Sequence, residues 1–237
     1  MKQLQKWDTR LKLTKAANML IIPLFILSIS IIGLTIYSRN VGNFVIRITE
    51  ESEAVLSLSE KATFAEGKNL LLAQGVSKMR DTTYRVIPRD ITQQDGSNND
   101  SARNQYLCYS FYLKNISTAD VGYMARIQIV GTSKGVEDAV RVMVEFEGER
   151  SIYKKYDTKP FIDMIGEDNN PNYYNYETTD FETDSIVFRQ HNPILRAGTY
   201  VRYSVLIWLE GWDEDCNDSI RGGDIKMEMY FSVVGQD

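Results

Sequence analysis

Two stretches near the C-terminus leave this chain little choice of architecture. In YVRYSVLIWLEGW, starting at Tyr200, the residues Val201, Tyr203, Val205, Ile207 and Leu209 fall on one face. In DIKMEMYFSVV, starting at Asp224, Ile225, Met227, Met229, Phe231 and Val233 do the same. A period of two is the repeat of a β-strand, and wound as a helix it would scatter these residues around the axis. VGYMARIQIVG repeats the pattern with Val121, Tyr123, Ala125, Ile127 and Ile129. QYLCYSFYLKN, from Gln105, is apolar or aromatic at nearly every position, as expected of a central strand covered on both faces.

The remaining elements fit around these. AVRVMVEF and SIYKKY flank Glu147-Gly148-Glu149-Arg150, a hairpin signal, and SIVFRQ is a short strand followed by a turn at Gly198. Near the start of the folded part, VGNFVIRI (41–48) reads as a strand, AVLSLSE as a short one, and TTYRVIP as one stopped by Pro88. Residues 66–78 leave helix and loop both open. TQQDGSNNDSARN reads as a surface loop, and Asp157 to Asp184 as a long acidic one. The total is roughly eight to ten strands with hairpin spacing and no strong amphipathic helix, which specifies an all-β sandwich.

Ahead of this body, Ala16 to Ser38 is free of formal charge, 23 residues between Lys15 and Arg39. A helix of that length spans ~34 Å, enough for a hydrocarbon core of about 30 Å. Five basic residues and one acid (Asp8) precede it, so the positive-inside rule leaves the N-terminus in the cytoplasm and the rest outside. Trp7 and Tyr37 suit the two interfaces. A cleaved signal is the competing reading. Its apolar core is usually ~7–15 residues before a small-x-small site, and Gly33 with Thr35 makes a poor one. The expected organisation is a basic cytoplasmic tail (1–15), a single transmembrane signal-anchor helix (16–38) and an extracytoplasmic β-sandwich (39–237) at the cell membrane.

After Arg39 the chain carries 21 basic and 31 acidic residues, a net charge of −10. Nucleic-acid recognition begins with a cationic footprint, so that partner is excluded. The two cysteines, Cys108 and Cys216, suggest one long-range disulfide in an oxidising compartment, against the alternative of two unpaired thiols. With one histidine, His191, no HExxH zinc site exists.

The texts YLCYSFYLKN, GVEDAVRVMVEF, AGTYVRYSVLIWLEGWDEDC and GGDIKMEMYFSVV together resemble the TasA/camelysin family of Gram-positive surface and biofilm-matrix proteins. The likeness covers roughly the last 130 residues apart from the acidic loop. It implies a jelly-roll-like fold and a structural role at the cell surface or in a matrix, by self-association or binding of other proteins. Camelysin is described as a metallo-endopeptidase, but without a zincin motif that activity does not carry over, and no catalytic residue is assigned. The long anchor also departs from the family's short cleaved signal. A ligand- or carbohydrate-binding sensor ectodomain, with a cell-wall glycan as partner, is the alternative function.

Candidate sites are few. In DEDCNDSIRGGD, Asp213, Asp215 and Asn217 hold the 1, 3, 5 spacing of a calcium loop, with Asp224 at the twelfth place. Asp218 replaces the usual sixth-place glycine, and a solvated acidic turn is the plainer reading. Ca²⁺ is thus the one cofactor the sequence suggests. Tyr173, Tyr174 and Tyr176 offer stacking area for a sugar or a partner. His191, before Asn-Pro, reads as a turn residue. Glu145, Glu147 and Glu149 read as solubilising charge at a hairpin end. VGNFVIRI, directly after the anchor, is placed to complete its own sheet or that of a neighbour.

Overall fold

The computed structural model describes residues 43–76, 78–100, 102–156 and 176–234. The expected tail (1–15) and anchor (16–38) lie outside the described residues, as do Tyr173, Tyr174 and most of the acidic stretch. Among the described residues no helix is long and apolar enough to cross a membrane. All of them belong to one unit, Gly42–Asp237.

The described chain enters through β1 (Phe44–Ile48), β2 (Leu56–Ser59) and β3 (Leu70–Leu72), the last a short strand where 66–78 reads as helix or loop. A two-residue β4 (Gly96–Ser97) precedes the long strands β5 (Tyr106–Asn115) and β6 (Val121–Thr132). One helical turn, α1 (Val136–Ala139), leads into β7 (Val140–Phe146) and β8 (Glu149–Lys154). Glu147 and Gly148 both take positive φ, 51° and 85°, the geometry of a tight hairpin turn between those two strands. Then come β9 (Thr179–Asp180), β10 (Ile186–Gln190), β11 (Ile194–Leu195), β12 (Tyr200–Leu209) and β13 (Ile225–Val234).

These strands form an all-β sandwich of two sheets. The first runs β10-β6-β13-β1-β3, with β11 also on β6; the second runs β2-β5-β12-β7-β8-β9, with β4 also on β5. Pairing is antiparallel except β1 with β13 and β8 with β9. Each expected alternation survives: Met227, Met229 and Phe231 from the first sheet meet Tyr203, Val205 and Ile207 from the second in one core. At its centre Tyr203 stacks on Phe146 and Phe111 (ring centroids 4.8 and 5.9 Å) and meets Phe231 of the opposite sheet at 5.3 Å. Ring pairs of this kind add ~0.5–1.5 kcal/mol each beyond the area they bury.

Burying tyrosines obliges their hydroxyls to find partners. Tyr203 donates to Gln190 Oε1 at 2.8 Å, and therefore accepts from Tyr123, whose oxygen is 2.7 Å away. Burial pushes both phenols' pKa upward, so the relay stays neutral.

The second sheet's outer face is covered as well. Residues 82–99 lie across it, and Ile87 packs with Cys108, Met143, Ile152, Leu206 and Trp208. This overturns two expectations. TTYRVIP is not a strand: only Thr82 bridges, to Glu210, and Val86 N–H closes a turn onto Thr83 O at 3.0 Å. The turn lets Tyr84 stack on Trp208, at 5.6 Å, where an extended chain would alternate its side chains off the sheet. TQQDGSNNDSARN is not merely a surface loop either. Thr92 is fully buried and its carbonyl accepts from Ser110, Ser204 and Arg202, while Asn99 Oδ1 accepts from Cys108 N–H at 3.1 Å.

The hydroxyl relay yields a stability prediction. Tyr203→Phe strands both Tyr123 and Gln190 and should cost about 1–3 kcal/mol in urea unfolding, whereas Tyr123→Phe should cost only ~0.5–1.5 kcal/mol. Equal losses would show that the relay does not run in this order.

Candidate functional site

The acidic turn Asp213–Asp224 is held by its own hydrogen bonds. Asp213 Oδ1 accepts from Asp215 N–H at 2.9 Å, while its Oδ2 is ion-paired with Arg141. Asn217 Oδ1 accepts from Ser219 N–H at 2.9 Å, capping a 3-10 turn over Asp218–Ile220. Asp224 is tied through its backbone to Ser133. Gly223 is required where the turn meets α1, since a Cβ there would sit 2.4 Å from Val136 and 2.7 Å from Ser133 O. Asp213, Asp215, Asn217 and Asp224 therefore do not gather as a calcium site. Among the described residues no group of three or more His, Cys, Asp or Glu could hold a metal ion. The spacing read as ligand convergence is that of side chains folding back onto nearby amides.

The expected disulfide is likewise corrected: Cys108 and Cys216 are both free thiols. Cys108 points to the covered outer face of the second sheet, its Sγ 3.8 Å from Ile91 O. Cys216 belongs to the acidic turn, beside Asp81, Asp213 and Glu210. Burial, followed by those carboxylates, pushes the Cys216 thiol up to about 11, and burial pushes Cys108 up to about 12.

Tyr176 folds back onto the domain. It stands 5.3 Å from Tyr84 and 6.3 Å from Trp208, and its hydroxyl donates to Glu210, which also accepts from Trp208 Nε1 at 3.0 Å. It is a packing residue rather than an open platform. His191 is exposed in the connection between β10 and β11. Glu145 accepts from Thr92 Oγ1 at 2.9 Å and pairs with Arg150 at 2.6 Å, so it fastens the covering segment; Glu147 lies in the turn and Glu149 is exposed on β8. These carboxylates form no acid–base pair.

Two surfaces of the first sheet stand out instead. One is its edge. β1 pairs along its whole length with β13, in the register Phe44 to Met227 through Ile48 to Phe231, and its other side is covered by the short β3 with Asn69 and Ala73 at its ends. Outward Leu70 and Leu72 on that edge are 47% and 50% exposed.

The other is the sheet's outer face. In register across four hydrogen-bonded strands lie Arg189 (β10), Arg126 (β6), Tyr230 (β13) and Arg47 (β1). The guanidiniums of Arg47 and Arg126 sit over the Tyr230 ring at 4.7 and 5.2 Å. Arg47 also donates to Tyr230 Oη at 2.8 Å and pairs with Glu228 at 3.0 Å. In the sequence each arginine is one polar letter at an outward position of a different strand. Only strand pairings between residues up to 183 apart (Arg47 with Tyr230) join them, so no local signal reveals the row.

The free thiols and the occupied turn carry two predictions. Gel mobility should be the same with and without reductant, and alkylation of the native chain should stay slow until pH nears 11; thiols absent even after unfolding would contradict this. Excess Ca²⁺ should leave the melting temperature where a chelator leaves it, because an ion bound only by the folded state would raise it.

No family model and no curated protein matches the chain. Among solved structures, the β-glucosidase from Kluyveromyces marxianus in complex with glucose aligns with 77% of this chain and 17% of its own, at 10% identity and a TM-score of 0.22. The selenomethionine-labelled β-glucosidase from the same organism aligns with 74% and 16%, at 9% identity and a TM-score of 0.23. The chain spans less than a fifth of the length of those enzymes, and a likeness of this degree carries no argument about fold or activity.

Proposed function

We propose that the protein is a non-enzymatic, membrane-tethered, jelly-roll-like β-sandwich on the outside of a Gram-positive cell, contributing to surface or matrix assembly by association between copies. The anchor over residues 16–38, the basic tail inside and the resemblance to the TasA/camelysin family supply its setting. The observation that carries the mechanism is the seating of β1. This strand follows the anchor directly, and it lies between the C-terminal strand and a three-residue edge. The slot beside β13 in a neighbouring copy offers β1 the same hydrogen bonds and pockets as its own. Exchange of an identical element between protomers is a low-cost route to association.

A camelysin-like metallo-endopeptidase is a weaker reading, since the lone histidine, His191, is exposed on a connection away from the acidic turn's carboxylates in sequence. A ligand- or carbohydrate-binding ectodomain is favoured by a different observation, the arginine–tyrosine row.

Strand exchange is tested by trapping. Val45 and Glu228 are register partners on β1 and β13. In the full chain with Cys216→Ser, the pair Val45→Cys and Glu228→Cys should close between copies under mild oxidation in membranes, giving covalent ladders on a non-reducing gel. Internally closed monomers alone would overturn the reading.

A further inference from the structure

The outer face of the first sheet holds a charge arrangement that its own residues leave incomplete. Arg126 and Arg189 are direct cross-strand partners in an antiparallel pair, and like charges in that position are destabilising. Of the row's three arginines, two already meet a carboxylate: Arg47 pairs with Glu228 at 3.0 Å, and Arg189 Nε lies 3.2 Å from Glu182, misaligned for a hydrogen bond. Among the described residues Arg126, between them, meets none. Among the described residues its guanidinium contact is the Tyr230 ring, and its Nε, shut off from solvent, makes no hydrogen bond.

We propose that this row is a binding site for a carboxylate-bearing polysaccharide, one carboxylate seated between Arg126 and Arg189 and the chain running across the strands toward Arg47. The guanidinium fork matches a carboxylate in shape and in donor spacing, and an anion there turns the Arg126–Arg189 repulsion into two attractions. Arg126 and Arg47 are two strands apart, about 10 Å at ~4.8 Å per strand, a distance on the scale of alternate sugars rather than adjacent peptide residues. Gln128 beside the row and Tyr230 within it, which hydrogen-bond each other at 3.3 Å, add neutral groups suited to sugar hydroxyls.

The remaining features of the face point the same way. β6 and β13 are paired on both sides, so a peptide cannot add to them as a strand.

Affinity electrophoresis of the full chain in neutral detergent, through gels containing polygalacturonate or neutral dextran, tests the assignment. The chain should be retarded by polygalacturonate only. Arg126→Gln should weaken that retention about tenfold or more, the loss of a charge-assisted pair, with a melting temperature unchanged or raised because the repulsion is relieved. Arg126→Lys keeps the charge and loses the fork, and should fall between. No retention of the parent chain, or undiminished retention of Arg126→Gln, would overturn the site. Equal or tighter binding of polyglutamate or of anionic phospholipid vesicles would overturn the polysaccharide in favour of an acidic protein or a membrane. None of these outcomes depends on whether β1 exchanges between copies.

Discussion

The contact between Tyr203 and Phe231 is the one on which the other interior contacts depend. It joins the two sheets at the level where Phe111, Phe146 and Tyr123 also converge, and it sets their separation to the size of an aromatic ring. Protein interiors are packed as tightly as organic crystals, so this spacing is passed along every strand that flanks the cluster. The hydroxyl relay from Tyr123 through Tyr203 to Gln190 then fixes the rotation of the rings, because a polar group in this position must be satisfied. With β6, β10 and β12 held this way, the outward side chains of β6 and β10 have fixed positions too. The alignment of Arg126 with Arg189 is the far side of the same constraint.

The sandwich is unequal in its two outer faces. Over the second sheet the segment 82–99 adds a partial third layer, fastened by Thr92, Asn99, Glu145, Arg150 and Arg202. The polar residues that make this segment look like a loop are the ones that satisfy its backbone beneath a covering of Ile87 and Tyr84. Over the first sheet the described residues place arginine, tyrosine and glutamine in rows. A domain that spends its covering segment on one face leaves the other for recognition.

Alternation made the long strands legible. β6, β12 and β13 show it, because both neighbours of each of these strands are strands and the core demands every second side chain; β5, covered on both faces, reads instead as a nearly continuous apolar run. Legibility failed wherever a segment's partner was not another strand. Tyr84 and Ile87 have strand composition, yet they serve as side chains packing down on a sheet, so their backbone turns. Asp213, Asp215 and Asn217 have ligand spacing, yet nearby amides and Arg141 claim Asp213 and Asn217 before any ion. For Cys108 and Cys216 the compartment is the one argument for pairing, and a sequence does not state which way a strand cysteine faces. The arginine row was the hardest to see, since it exists only in the register of four strands drawn from three distant regions.

The parallel pairing of β1 with β13 also has a bearing on how the molecule is made. Among the described residues the earliest strand, β1, has the latest, β13, as its principal neighbour, with Phe44 opposite Met227. Contacts of such sequence separation form slowly, because the whole intervening chain must be closed first. Until β13 docks, Phe44, Ile46 and Ile48 have β3 on one side of their strand and an open edge on the other. A chain in which β13 has not yet docked thus leaves one side of β1 open to a strand from elsewhere.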